Sequence, residues 1–141
     1  MALKRCILEM GTGVDLHGRD YTKAARRAVK NALRHNSLGF ARVVGQSVDA
    51  MHVDVTIGVP RPEAVDHESV LGVLPHGKGQ IHVVQGGLEI PNDDGTDATV
   101  MANAALVVSL DTTHSLSYAV HEYDVGVGVP MTYLSDSAVF R

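Results

Sequence analysis

Tryptophan is absent from this chain, and only two phenylalanines and four tyrosines occur in 141 residues. A core of stacked rings is thereby excluded, so the 45% of residues that are hydrophobic must pack mainly as Val, Leu, Ile and Ala. Cysteine occurs once, at Cys6, which excludes an intramolecular disulfide and a zinc site built from several thiolates. A reducing cytoplasm is the compartment expected of such a chain. Long apolar runs are also missing: none approaches the roughly 18 residues of a membrane span. The stretch after Lys4-Arg5 is cut by Glu9 before it could form a secretory leader. No membrane partner is expected.

Basic residues are scarce beyond position 42. Residues 1–42 hold nine Lys/Arg against three Asp/Glu, whereas residues 43–141 hold three against thirteen. That asymmetry suits opposed surfaces which attract one another within the fold or between subunits. It argues against nucleic acid, because the acidic majority repels phosphate and the basic stretch carries no interleaved aromatics for stacking. Histidine is plentiful by contrast, at eight residues, so acidification could reverse the sign of the formal net charge of −4.

The pattern predicts a single α+β domain over residues 1–141. Residues 3–10 read as a strand in which Cys6, Leu8 and Met10 share one face and Arg5, Ile7 and Glu9 the other. The stretch Gly11–Gly18 is too glycine-rich to continue a strand and reads as a loop. A helix follows from Tyr21 to His35 with Asp20 as N-cap; Tyr21, Ala25, Ala28, Ala32 and Leu33 form its apolar stripe, opposite Lys23, Arg27, Lys30 and Arg34. Val53, Val55, Ile57 and Val59 alternate with polar or small residues and define a strand at His52–Val59, ended by Pro60-Arg61-Pro62. A shorter helix is expected over Glu63–Leu74, a loop at Pro75–Gly79, a strand at Gln80–Val84, irregular chain through Gly86–Gly95 and a strand at Val100–Leu110. Beyond Asp111, Leu116, Ala119, Val120 and Tyr123 fit a helix, while Val125, Val127 and Val129 fit a strand. These elements make a mixed sheet covered on one face by helices, and the uncovered face favours a homo-oligomer.

Chemistry is expected at the Gly11–Gly18 loop, between the first strand and the first helix, where free N–H groups can meet a ligand. It is no dinucleotide fingerprint, since Leu16 stands where a third glycine is required, and no Gly-Lys-Ser/Thr follows for a P-loop. Asp15 and Asp20 would repel a phosphate, so a neutral polar molecule, an amine or a metal cation suits the place better. Asp15 and His17 lie on one side of an extended segment, and a carboxylate beside an imidazole makes a general base or a metal-ligand pair. The alternative is that Asp15 caps a turn and His17 donates to a backbone carbonyl.

The segment Gly11-x-Gly13-x-Asp15-x-His17-Gly18 resembles the signature of a small uncharacterised protein family, first catalogued from a listerial hypothetical protein and found in bacteria and plants. The resemblance spans nearly the whole chain by length and implies a site at Gly11, Gly13, Asp15, His17 and Gly18, though no activity. A more distant likeness is to the ring-opening amidohydrolases, which cleave cyclic ureides and are built from three similar α+β units around Lys–Ser pairs. That likeness implies a trimer or a multiple of it, a small-molecule substrate and a catalytic Lys78, although no partner serine can be assigned. On this reading Asp15, His17 and Lys78 are catalytic, and Gly11, Gly13 and Gly18 hold the ligand. The metal and cofactor stay open.

Three other groups have two readings, and two more have one. Lys78 between glycines either reaches a site or sits in solvent. His52 and His82, on neighbouring strands, face each other across a metal or line a sheet face. Asp66-His67-Glu68 is a ligand cluster or the acidic start of a helix. Asp111 and His114 form a second Asp/His pair that could complete the first site. Cys6 reads as a buried, inert thiol.

Overall fold

The computed structural model describes residues 2–35 and 40–113. The alternatives at residues 116–129 and the candidate His114 lie outside the described residues. Within them the chain forms β1 (Leu3–Asp15), α1 (Tyr21–Leu33), α2 (Phe40–Val43), β2 (His52–Val59), α3 (His67–Leu71), β3 (Lys78–Gln85), β4 (Leu88–Pro91) and β5 (Ala98–Asp111). A five-stranded sheet runs β1-β5-β2-β3, with β4 also pairing β5. β5 is antiparallel to β1, β2 and β4, and β3 lies parallel to β2. The expected mixed α+β domain, helices on one face, is what forms.

β2 occupies the predicted residues because its alternation is complete: Val53, Val55, Ile57 and Val59 are buried against the helices. β5 alternates likewise, with Val100, Ala102, Ala104, Leu106, Val108 and Leu110 inward. α1 lays Ala24, Ala25, Ala28, Val29 and Ala32 on the sheet, and these short side chains bring its backbone close. Asp20 caps it as expected, accepting the Lys23 N–H at 2.9 Å.

Several expectations are corrected. β1 does not stop at Met10; it pairs with β5 through Gly11, Gly13 and Val14 to Asp15. Nor do Cys6, Leu8 and Met10 share a face in the simple way that alternation implies. A bulge between Arg5 and Ile7 shifts the register: Leu8 and Met10 keep the open face and Ile7 the core side, as alternation gives, but Arg5 pairs with Ser109 and leaves the face of Ile7. The helix expected over Glu63–Leu74 is a 3-10 turn at Pro62–Ala64 followed by the five-residue α3, capped by Asp66 and closed at Gly72. Lys78 begins β3 instead of sitting in a loop. β4 interrupts the irregular stretch 86–95, entered through Gly87 at φ +63°.

Candidate functional site

The first two glycines of the motif, Gly11 and Gly13, are packing residues. A Cβ on Gly11 would lie 2.4 Å from the Ala32 nitrogen, and one on Gly13 would lie 2.2 Å from both the Ala24 oxygen and the Ala28 nitrogen. Both positions sit under α1, and any larger residue would drive the helix off β1. Neither lies in an open ligand loop.

Asp15 ends β1 and is buried, pointing to the helix side of the sheet. One oxygen accepts the Asp20 N–H at 3.0 Å and the other meets Lys23 Nζ at 3.0 Å. Burial pushes its carboxyl up, but the Asp20 N–H, the Lys23 ammonium and the field of Arg27 outweigh burial and hold it below its ordinary value. Asp15 thus ties the end of the strand to the start of the helix. It does not touch His17 in any recorded contact, so the expected Asp15–His17 dyad is not what the fold assembles.

His17 projects into solvent, 88% exposed, with Nδ1 3.4 Å from the Asp97 carboxylate. Asp97 is fixed from the other side: it accepts the N–H of Gly18 at 2.9 Å and that of Ala98 at 2.8 Å. Those two N–H groups, then the His17 ring, draw its carboxyl below the ordinary value. Gly18 at φ +93° and Arg19 at φ +49° make the tight left-handed turn that sends the chain from strand to helix. Arg19 Nε then meets Glu89 Oε1 at 2.6 Å, and the Tyr21 hydroxyl donates to the same oxygen at 3.1 Å. The Arg19 guanidinium foremost holds Glu89 below its usual range, whereas burial and that carboxylate push the Tyr21 phenol up.

Arg19, Glu89 and Asp97 are the residues that sequence reasoning missed. Their contacts cross 70 to 80 positions of chain, and no local spacing signals them. Beside them lies an open cleft of about 200 Å³ lined by Leu16, His17, Ile90, Pro91, Asn92 and the Asp97–Thr99 strand start. A second hollow, between α1 and the sheet near Leu33 and Leu106, is apolar and about 20 Å³, room for a single water.

The remaining candidates do not converge. Lys78 pairs with His52, which pairs with Ser109, whereas His17 sits beside Ala98 at the other end of β5. Eleven strand residues separate the two ends, about 35 Å at the usual rise per residue, so Lys78 and His17 cannot act on one molecule within one chain. His52 and His82 are not opposite each other either: their partners are Lys78 and Thr56, four residues apart along the ladder. Asp66 is spent as an N-cap, accepting the Ser69 N–H. Asp111 is held to about 2, chiefly by the Thr113 hydroxyl, its candidate partner His114 lying outside the described residues. Cys6 is half-buried at the bulge and its thiol donates to the Lys4 carbonyl. Among the described residues no three His, Cys, Asp or Glu side chains gather as a metal site, and no helix is long and apolar enough to cross a membrane.

Because His17 is solvent-exposed and only its Asp97 contact depends on it, His17→Ala should change the unfolding free energy by no more than about 0.5 kcal/mol. Urea titration checks this; a loss of several kcal/mol would place the ring in a structural role.

Residues 5–108 match a family model described as a conserved hypothetical protein, Lin0512_fam. Among solved structures the chain is similar to an FtsZ-like protein of unknown function from Nostoc punctiforme, at 42% identity and a TM-score of 0.72. The likeness covers 79% of this chain and 98% of that one. A comparison with curated proteins finds no match.

Proposed function

Since the chain belongs to the Lin0512 family of conserved hypothetical proteins, we propose that it works as a homo-oligomeric binding or scaffold protein whose Gly11–Gly18 segment is structural. Gly11 and Gly13 seat α1, and Asp15 ties strand to helix; each has a complete structural reason for being where it is. The observation that carries self-assembly is the face of the sheet opposite the helices. There Leu8 is 53% exposed, Met10 62%, Leu88 55% and Ile90 61%, grouped on β1, β4 and the β5 strand between them. Leu8 and Met10 lie opposite Val107 and Ala105, and Leu88 and Ile90 opposite Met101 and Thr99, with the Thr12–Asn103 pair between them; single exposed apolar residues are ordinary, but several on one face mark a surface that something covers. The compartment this reading takes is the cytoplasm, in keeping with a single cysteine.

Native mass spectrometry or sedimentation should give a multimer. Met10→Lys, which places a charge beside Leu8 on that face without touching the core, should weaken association at least tenfold and leave the unfolding midpoint of the dissociated chain unchanged. A wild-type monomer at micromolar concentration overturns the proposal.

The second reading is a hydrolase of cyclic amide-like compounds with the cleft at His17 as its small-molecule site, Asp97 orienting the imidazole in place of Asp15. Gly18 belongs to this site through its N–H to Asp97. Lys78 could join it only from another subunit, as in a three-fold assembly. His17→Ala then abolishes ligand binding or turnover while stability holds; unchanged binding excludes this reading.

A further inference from the structure

The two edges of the sheet are built differently. On β1, α1 takes up the outward backbone groups: Asn31 Oδ1 accepts the Thr12 N–H at 3.0 Å, Arg27 donates to the Val14 oxygen at 2.5 Å, and His35 Nδ1 lies 3.1 Å from the Met10 oxygen. The match is geometric, because four residues of helix rise about 6 Å and two residues of strand about 6.7 Å. Positions 27, 31 and 35 therefore step along 14, 12 and 10. The rest of that edge carries Lys4, Arg5 and the bulge, all devices that discourage strand addition.

β3 has none of these. Lys78 N–H donates to the Met51 oxygen at 2.8 Å and Gly86 N–H to the Val59 oxygen at 3.0 Å, so the even-numbered residues between them face β2 in the parallel ladder. The N–H and C=O groups of Gly79, Ile81, Val83 and Gln85 consequently point outward, with no protein partner among the described residues. Between Lys78 and Glu89 the sequence holds neither Asp, Glu, Lys, Arg nor Pro. An unbulged edge without charge beyond Lys78 is a template for another strand.

We propose that β3 pairs antiparallel with β3 of a second copy across a two-fold axis, joining the two sheets into one of ten strands. This rests on the self-assembly reading and adds to the open face a separate contact at the β3 edge, separated from β1 by two strands. The register follows from satisfying every outward group. Only a pairing of Gly79 with Gln85 and Ile81 with Val83 of the other copy uses all four residues of each chain. That register puts His82 opposite its own counterpart on the axis, as a pair without hydrogen bonds between them, where side chains approach most closely. Ile81 and Val83, already packed at the margin of the core, would then be covered from the side as well.

Two variants test the pairing. Val83→Pro removes one outward N–H and puts a ring in the path of the second strand, while the β2–β3 ladder, which uses the even residues, is untouched. It should weaken the dimer at least a hundredfold. In a Cys6→Ser background, where the hydroxyl can keep the bond to the Lys4 carbonyl, His82→Cys should give a covalent dimer on mild oxidation and Gln80→Cys should not, because only position 82 meets itself. Sedimentation and non-reducing gels of the full chain read both. An assembly whose subunit number and affinity Val83→Pro leaves unchanged, or folded His82→Cys protein that fails to crosslink, overturns the β3 contact while self-assembly through the open face stands. A monomeric wild type overturns both.

Discussion

Gly13→Ala is expected to destabilise the protein by about 3 kcal/mol, although a single methyl group is added to a residue in regular strand. The added Cβ would sit 2.2 Å from two backbone atoms of α1, the Ala24 oxygen and the Ala28 nitrogen. Neither can rotate away as a side chain would, so the helix itself must shift, and with it the contacts of Ala24, Ala25 and Ala28 with the sheet. Against this stands the usual gain from replacing glycine, about 0.4 to 1 kcal/mol through the unfolded chain, which is too small to offset the clash. Gly58→Ala is the control. It also lies in a strand, but its nearest neighbour would be an ordinary 3.5 Å away, at the Gly86 Cα. Urea unfolding of the two variants should therefore differ by at least about 2 kcal/mol. Equal losses would mean that α1 is not held against β1 as described.

That contrast explains which parts of the molecule a reader of the sequence can see. β2 is plain because everything that makes it a strand is in eight consecutive residues: inward Val53, Val55, Ile57 and Val59 alternate with Asp54 and Thr56. α1 is plain for the same reason, with cap and stripe both local. The segment Gly11–Asp15 is not. Glycine there signals a turn to any local rule, yet the cause is a helix whose contact residues lie 11 to 21 positions downstream. β4 is hidden because four residues carry no period and its partner is β5. The bulge at Cys6 leaves Leu8 and Met10 on their shared face but misplaces Arg5 relative to Ile7, since an extra residue reverses the parity of everything before it.

The candidate site divides along the same line. Asp15 is legible as a candidate from its spacing to His17 in the glycine-rich segment; its actual partners, Asp20 and Lys23, are within eight positions. The pairing of His17 with Asp97 crosses 80 positions and depends on how the β4–β5 turn folds back over Gly18. An Asp two residues from a His looked like its natural partner. The pleat decides otherwise: Asp15 is still in the strand and points under α1, whereas His17 has left it and points to solvent.

Asp15 carries the other large expectation. Asp15→Ala should cost about 2 to 3 kcal/mol, through the void, the lost bond to the Asp20 N–H and the lost ion pair. The charge left behind limits the cost, because Lys23 is half-exposed and can turn to water. Asp15→Asn separates shape from charge. The folded carboxyl lies below its ordinary value of 3.8, so its charged form is favoured by folding. Its contribution is fully present above the unfolded value and is lost as pH falls through the lower folded one. The stability gap between wild type and Asp15→Asn should accordingly be constant near neutrality and shrink below about pH 4. Asp97, Glu89 and Asp111 are depressed in the same direction and contribute to the acid limb in both proteins, so they cancel in the difference. Urea unfolding at pH 7 and pH 3 measures it. A gap that does not close at pH 3 would assign the residue's worth to packing alone and remove the Lys23 ion pair from the account of how strand and helix are joined.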